Sequence, residues 1–239
     1  ALFLDVDGTL LELAPTPDSV RVPEGLAPLL GALSDALGGA LAVVTGRSLA
    51  RIEKLLSPWA VVGAGLHGIE FRWPGAADID RAPFAPLSPV VAKLRARFAS
   101  EPAVEVEDKG VAVALHFRRA PERAAECAAA MAEIARSHPE LRLLRGHCVI
   151  EALPVQANKG DAIRRLMQSA PFAGRVPAFV GDDVTDEDAF PVVGSFGGLC
   201  IKVGQHSSYA AHGVDGPRDV LEWLRSSLRS LQSGDDEHA

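Results

Sequence analysis

Short apolar runs recur along this chain in alternation with stretches of helical leucine spacing, and no other feature restricts its fold as much. Leu2–Val6, Ala40–Val44, Val61–Gly63, Pro177–Val180 and Leu199–Val203 read as strands. Gly25–Leu37, Leu49–Leu56, Asn158–Gln168, Asp186–Val192 and Val220–Leu231 read as the helices that separate and follow them. Strand–helix–strand repetition of this kind calls for a parallel sheet with right-handed crossovers. Ligands in such sheets gather at the carboxyl ends of the strands, which is where the polar residues closing the first two runs fall.

The middle of the chain has a different texture. Pro74–Pro89 is rich in Pro, Ala and Asp and marks a crossing into another unit. A helix (Val90–Ala99), two β-type runs (Val104–Glu107 and Val111–Phe117), an Ala-rich helix (Glu122–Ser137) and two further runs (Leu141–Leu144 and Cys148–Leu153) follow. That order, without long crossovers, predicts a small antiparallel sheet with helices on one face. The expected organisation is an α/β, Rossmann-like core from residues 1–80 and 155–239, with an inserted α+β unit from residues 81–154. The polar, acidic tail Ser233–Ala239 is expected to be disordered.

Composition narrows the function. Lys+Arg 24 against Asp+Glu 31 gives a net charge of −7, which argues against a nucleic-acid partner. An anionic substrate must therefore be met by a local cation cluster or a metal. No apolar run approaches the roughly 20 residues needed to span a bilayer, and Asp5 and Asp7 interrupt Leu2-Phe3-Leu4 too soon for a signal-peptide core. The three cysteines, Cys127, Cys148 and Cys200, lack zinc-ligand spacing and read as reduced thiols of a cytoplasmic protein.

Four segments carry chemistry. In Asp5-Val6-Asp7-Gly8-Thr9 two carboxylates at a strand end converge on one point, a costly arrangement unless a hard cation such as Mg²⁺ sits between them. One carboxylate, screened by the metal, can then attack a phosphoryl group while the other protonates the leaving oxygen. Thr45-Gly46-Arg47-Ser48 closes the second strand with a hydroxyl and an open amide, suited to phosphate. Lys159 in Asn158-Lys159-Gly160 begins a helix, a poor place for a cation unless an anion pairs with it. Gly181-Asp182-Asp183-Val184-Thr185-Asp186-Glu187-Asp188 crowds five acids after a strand. Helix-dipole preference explains the later acids but not Asp182 and Asp183; a divalent metal does. Singly, each segment is also an ordinary turn, cap or surface charge. Together they supply nucleophile, acid/base, metal ligands, phosphate hydroxyl and neutralising lysine for phosphoryl transfer.

These segments, in this order, resemble the four motifs of the haloacid dehalogenase superfamily of phosphatases. The resemblance implies that Asp5 is a nucleophile forming an aspartyl-phosphate and that Asp7 is general acid and then base. It further implies a phosphate-binding hydroxyl at Thr45 and a charge-neutralising lysine at Lys159. Magnesium would be bound by Asp5, the main-chain carbonyl of Asp7, and Asp182, with Asp183 and Asp186 in support.

Over nearly the whole chain the sequence is similar to the trehalose-6-phosphate phosphatases. Beyond the core motifs, Gly65-Leu66-His67-Gly68, Glu107-Asp108-Lys109-Gly110, Ala114-Leu115-His116-Phe117-Arg118 and Val149-Ile150-Glu151 carry this likeness. It implies a C2-type cap closing over the sugar, with Glu107, Lys109, Arg118 and Glu151 contacting the distal glucose. Gly46, Arg47, His67 and Gly68 would bind substrate nearer the core. One departure is Ala152-Leu153-Pro154, where the family often has Lys-Pro after the glutamate. The implied reaction is hydrolysis of trehalose 6-phosphate in trehalose biosynthesis, with trehalose-phosphate synthase as pathway neighbour.

Other readings stay open on the residues alone. A capped phosphatase for another sugar phosphate, such as sucrose phosphate, would use the same core. A phospho-acceptor signalling domain also places an Asp, a Lys and an acidic cluster on an α/β sheet, but needs no insert of this size. A catalytically silent sugar-binding domain would not need to keep Asp5, Asp7, Lys159 and Asp182.

Overall fold

The computed structural model describes residues 1–14, 19–81, 83–146, 148–205 and 208–236, the side chains of residues 234–236 excepted. Its contacts divide the chain into two compact units, one of Ala1–Ala14, Val20–Arg81 and Asn158–Ala239, the other of Pro15–Ser19 and Ala82–Ala157.

The first unit is built on an eight-stranded sheet. In chain order its strands are β1 (Leu2–Leu4), β2 (Leu41–Val44), β3 (Gly63–Gly65), β4 (Glu70–Arg72), β5 (Asp80–Arg81), β10 (Ala178–Gly181), β11 (Leu199–Val203) and β12 (His212–Val214). Across the sheet they run β12-β11-β10-β1-β2-β3-β4-β5. All pairings are parallel except β3–β4 and β4–β5. Its helices are α1 (Leu26–Ala36), α2 (Leu49–Leu56), α5 (Lys159–Leu166), α6 (Phe190–Ser195) and α7 (Pro217–Asp236).

The central strands β1, β2 and β10 are apolar throughout because both faces are covered. Leu2, Leu4, Leu41, Val43, Val180 and Ile201 pack with the buried faces of α1, α2 and α7. The intervening Phe3, Ala42, Val44, Phe179 and Cys200 pack with α5, α6 and Phe172 on the other side. β1 lies between β10 and β2, so the chain winds away from it in both directions. Such a switch point opens a crevice beyond the carboxyl ends of the strands.

The second unit pairs β6 (Glu105–Asp108), β7 (Val113–His116), β9 (Val149–Pro154) and β8 (Leu141–Gly146) in that order, all antiparallel. Helices α3 (Ser88–Arg97) and α4 (Ala124–Ser137) cover one face. There Val90, Val91 and Leu94 of α3 and Cys127, Met131 and Ile134 of α4 meet Val113, Leu115 and Ile150. The opposite face carries Glu107, His116 and Glu151.

This is the α/β core with an inserted antiparallel unit that the sequence predicts, with local differences. The strand expected at Val61–Gly63 forms at Gly63–Gly65, where it pairs with Val43 and Val44. The crossing segment contributes the edge strand β5, and β12 extends the other edge; both are too short to leave an apolar signature. The helix expected from Asp186 begins at Phe190, after a turn of 3₁₀ helix at Val184–Asp186. Pro191 suits the first turn of a helix, where no intrahelical N–H is needed. The tail is not disordered over Ser233–Asp236, which continues α7; residues 237–239 lie outside the described residues. No described helix is long and apolar enough to cross a membrane. All three cysteines are free thiols.

Candidate active site

β1 ends at Leu4, and the amide of Asp5 donates to the Val180 carbonyl of β10 at 3.0 Å. That bond sets Asp5 beside the end of β10, from which Asp182 follows. The chain then turns tightly, with the amides of Leu10 and Leu11 both donating to the Val6 carbonyl. Gly8 takes φ +82° in this turn, and a Cβ there would lie 2.0 Å from Asp182 Oδ2. Only glycine satisfies both demands.

Asp5, Asp182 and Asp186 each bring a carboxylate oxygen to within 4.8 Å of the others. Lys159, the first residue of α5, enters the same cluster. Its Nζ donates to Asp5 Oδ1 and to Asp186 Oδ1, each at 2.7 Å, and it is 2% exposed. The unfavourable position of a cation at a helix start is thus offset by two buried anions, while Asn158 caps α5 by accepting from the Asp161 amide. Asp186 has both oxygens committed, since Oδ2 accepts from the Asp183 amide at 2.9 Å. The Asp183 carboxylate completes a reciprocal cap by accepting from the Asp186 backbone. Thr9 Oγ1 donates to Asp182 Oδ1 at 3.3 Å.

One ammonium against three carboxylates leaves the cluster short of positive charge. Burial pushes Asp5 well above the ordinary carboxylate range; Lys159 pulls it down, and Asp186 and Asp182 push it further up. Burial, and then Asp186, raise Asp182 to about 6. Burial also works against the Lys159 charge, but Asp186 and Asp5 outweigh it and hold the ammonium above the usual lysine value. An all-oxygen set short of one or two positive charges fits a hard divalent cation.

The second strand ends at Val44, which sets Thr45 just beyond it. Thr45 is buried, and its Oγ1 accepts from the Arg47 amide at 3.1 Å. Arg47 reaches Asp7 with a two-pronged contact, both distances 2.6 Å. The carboxylate of Asp7 is therefore turned to Arg47 rather than grouped with Asp5, Asp182 and Asp186. The His67 amide donates to the Thr45 carbonyl at 3.0 Å, and the His67 ring lies so near Gly46 that a Cβ there would be 2.6 Å from Nε2. Gly68 follows in the same loop, against Asn158 and Ala162 of the lysine segment.

In the second unit Lys109 Nζ donates to Glu151 Oε1 at 3.0 Å and stands 4.0 Å from Glu107 Oε2. Glu107 Oε2 also meets His116 Nε2 at 2.9 Å. Register explains the grouping: Ala114 stands opposite both Glu107 and Glu151, so the small residue leaves room for the charges beside it. Arg118 lies in the turn after β7, half-buried, and forms no ion pair among the described residues.

Two buried polar residues escaped the sequence reading. Lys202 in β11 donates to Glu187 Oε1 at 3.1 Å and approaches the Asp183 carbonyl at 3.5 Å; a lone lysine inside the apolar run Leu199–Val203 was its signal. Glu70 accepts from the Leu49 amide at the start of α2 and from Arg81 Nε, each at 2.8 Å. Nothing local in the sequence marks that pairing.

The sequence model of the trehalose-phosphatase family matches residues 3–222. The trehalose-6-phosphate phosphatase of Escherichia coli K12 is 40% identical over 233 residues, 97% of this chain and 88% of that protein. A probable trehalose-phosphate phosphatase of Sinorhizobium fredii is 47% identical over 205 residues, 85% of this chain and 77% of that protein. Among solved structures, the C-terminal domain of the Candida albicans trehalose-6-phosphate phosphatase superposes with a TM-score of 0.84 at 23% identity, covering 95% of this chain and 91% of that one. With the match running through the strand ends that carry Asp5, Thr45, Lys159 and Asp182, the chain belongs to the trehalose-phosphatase family.

Proposed function

We infer that the protein is a phosphoric monoester hydrolase that converts trehalose 6-phosphate to trehalose and phosphate. Family membership supplies the substrate, and the buried bridge from Lys159 to Asp5 and Asp186 carries the chemistry. In this reading Asp5 attacks phosphorus to form an aspartyl-phosphate, and Asp7 protonates the leaving sugar oxygen and then activates water. Thr45 and Lys159 hold the phosphoryl oxygens, and Asp183 keeps the Val184–Asp186 turn in place through its cap. Mg²⁺ would be held by Asp5, Asp182 and the Asp7 main-chain carbonyl, with Asp186 in support because both of its oxygens are already engaged. When bound it screens the charge that accumulates between nucleophile and phosphate.

Arg47, His67, Gly46 and Gly68 are assigned to the substrate on the core side, Arg47 to its sugar and not to its phosphoryl group. The inserted unit is assigned as the cap, with Glu107, Lys109, Arg118 and Glu151 reading sugar hydroxyls. Paired carboxylate and ammonium groups on a sheet face suit that task, since each can turn to a hydroxyl without leaving an unpaired buried charge. The substrate is made by a glycosyl transfer onto a sugar phosphate, the reaction of a trehalose-phosphate synthase.

The test is phosphate release with Mg²⁺ from trehalose 6-phosphate, sucrose 6-phosphate and glucose 6-phosphate. Trehalose 6-phosphate is expected to be hydrolysed far faster than the others. Comparable turnover of glucose 6-phosphate would sink the substrate assignment. Acid quenching with ³²P-labelled substrate should trap a hydroxylamine-labile phosphoprotein that Asp5→Asn cannot form.

A further inference from the structure

Asp7 and Arg47 are 40 residues apart in sequence and meet by two hydrogen bonds. Nε donates to Oδ2 and Nη2 to Oδ1, each at 2.6 Å. A planar guanidinium that engages both oxygens fixes the position and the plane of a carboxylate together, which a single contact or a lysine does not.

The arginine is the better-held partner. Its side chain is 10% exposed against 32% for Asp7. Its amide donates to Thr45 Oγ1, and its carbonyl accepts from the Leu66 amide at 3.0 Å. Asp7 sits in the turn before Gly8, with solvent on one side. Arg47 also precedes the N-terminus of α2, where the helix dipole disfavours a cation, so α2 gives no reason for its charge. Asp7 does.

We propose that Arg47 is a positioning residue for Asp7, setting the rotamer and plane of the carboxyl group that exchanges the proton of the leaving oxygen. This rests on the acid/base role assigned to Asp7 above. In the first step the bond from Asp5 to phosphorus forms as the bond from phosphorus to the sugar oxygen breaks. The electron pair stays on that oxygen, which takes the proton from Asp7 and leaves a carboxylate. One N–H of the fork withdraws while the oxygen it contacts carries the proton. The other keeps the group aimed.

Aryl phosphates test this without any sugar contact. Phenyl, 4-nitrophenyl and 2,4-dinitrophenyl phosphate have leaving oxygens that need a proton progressively less. Arg47→Lys keeps the charge but not the fork. Its kcat/KM is expected to fall about tenfold or more on phenyl phosphate, with little loss on 2,4-dinitrophenyl phosphate. In an Asp7→Asn background the same change should cost nothing further on 4-nitrophenyl phosphate. Equal losses on all three esters, or an undiminished loss in the Asp7→Asn background, would overturn the proposal and leave Arg47 as a phosphate or scaffold contact. Circular dichroism checks the fold of each variant, and Arg47→Gln replaces Arg47→Lys should the latter not fold. Absence of phosphatase activity in the unmodified protein would defeat the functional reading itself, so the two failures are distinct.

Discussion

Lys159 Nζ lies 2.7 Å from Asp5 Oδ1, and the two side chains are 2% and 5% exposed. The ammonium is the one positive side chain bonded to the Asp5, Asp182 and Asp186 cluster among the described residues. Lys159→Met removes it while nearly conserving the aliphatic stem. Activity should fall by about 10²–10³-fold, the loss seen when a preorganised charge or donor is taken from a site. Stability should fall as well, because cutting one partner from a buried pair costs about 3–5 kcal/mol. That cost should shrink on acidification, as the orphaned carboxylates take up protons instead. Denaturant melts at two pH values check it; a pH-independent cost would contradict the assignment.

Gly8 permits the approach of Asp182. Gly8→Ala would set a Cβ 2.0 Å from Asp182 Oδ2 in a backbone conformation with φ +82°. Rotating Asp182 away would relieve the contact only by moving its carboxylate off the cluster and off Thr9 Oγ1, and the positive φ would stay strained. The expected result is a folded but weakened protein, with about 1–3 kcal/mol lost to the strained residue. Its Mg²⁺ requirement should rise more than its KM for substrate. Calorimetric titration with Mg²⁺ measures the first effect, and an unchanged affinity would remove Asp182 from the metal assignment.

Much of the site was legible because its residues lie where a strand's apolar run stops. Asp5, Thr45 and Asp182 each follow such a run, and one sheet topology brings all three ends together. Lys159 was legible for the opposite reason, as a charge in a locally unfavourable place. What stayed hidden depends on pairings between distant segments. Arg47 with Asp7 and Glu70 with Leu49 and Arg81 are long-range bonds with no local pattern. The short strands β4, β5 and β12, the last two at the sheet edges, owe their existence to neighbours already in the sheet rather than to their own apolar content. The 3₁₀ turn before α6 followed from the reciprocal cap between Asp183 and Asp186, while the acidic run alone read as the start of a helix.

In the inserted unit, Glu151 is 6% exposed and receives Lys109 at 3.0 Å, whereas Arg118 has no ionic partner among the described residues. Glu151→Ala should therefore carry two costs: loss of any sugar contact, and loss of the 3.0 Å ion pair that Lys109 makes with Glu151. Arg118→Ala carries the first alone. Both should lower kcat/KM for trehalose 6-phosphate more than for 4-nitrophenyl phosphate, by about tenfold for a lost charged hydrogen bond. Only Glu151→Ala should also lower the melting temperature. Equal losses on both substrates would remove the insert from the specificity argument.

The raised Asp182 and Asp5 carboxyls link stability, pH and metal. Asp182 reaches about 6 in the folded chain against an ordinary 3.8, so the folded protein binds this proton more tightly than the unfolded chain. The stability it contributes is complete below the ordinary value and is lost as pH rises through the folded one. Asp5 shifts in the same direction. Metal-free protein should thus gain stability from this cluster on mild acidification from neutral pH. Mg²⁺ and protons compete for the same oxygens, so the metal should stabilise most where the protons have left. A hundredfold excess of Mg²⁺ over its Kd stabilises by about 2.7 kcal/mol, several degrees in melting temperature. That shift should be near its full size at about pH 7.5 and largely gone at about pH 5, below the Asp182 value. Thermal melts with EDTA and with Mg²⁺ across this range decide the matter. A metal-induced shift of constant size would mean that the ion does not meet Asp182.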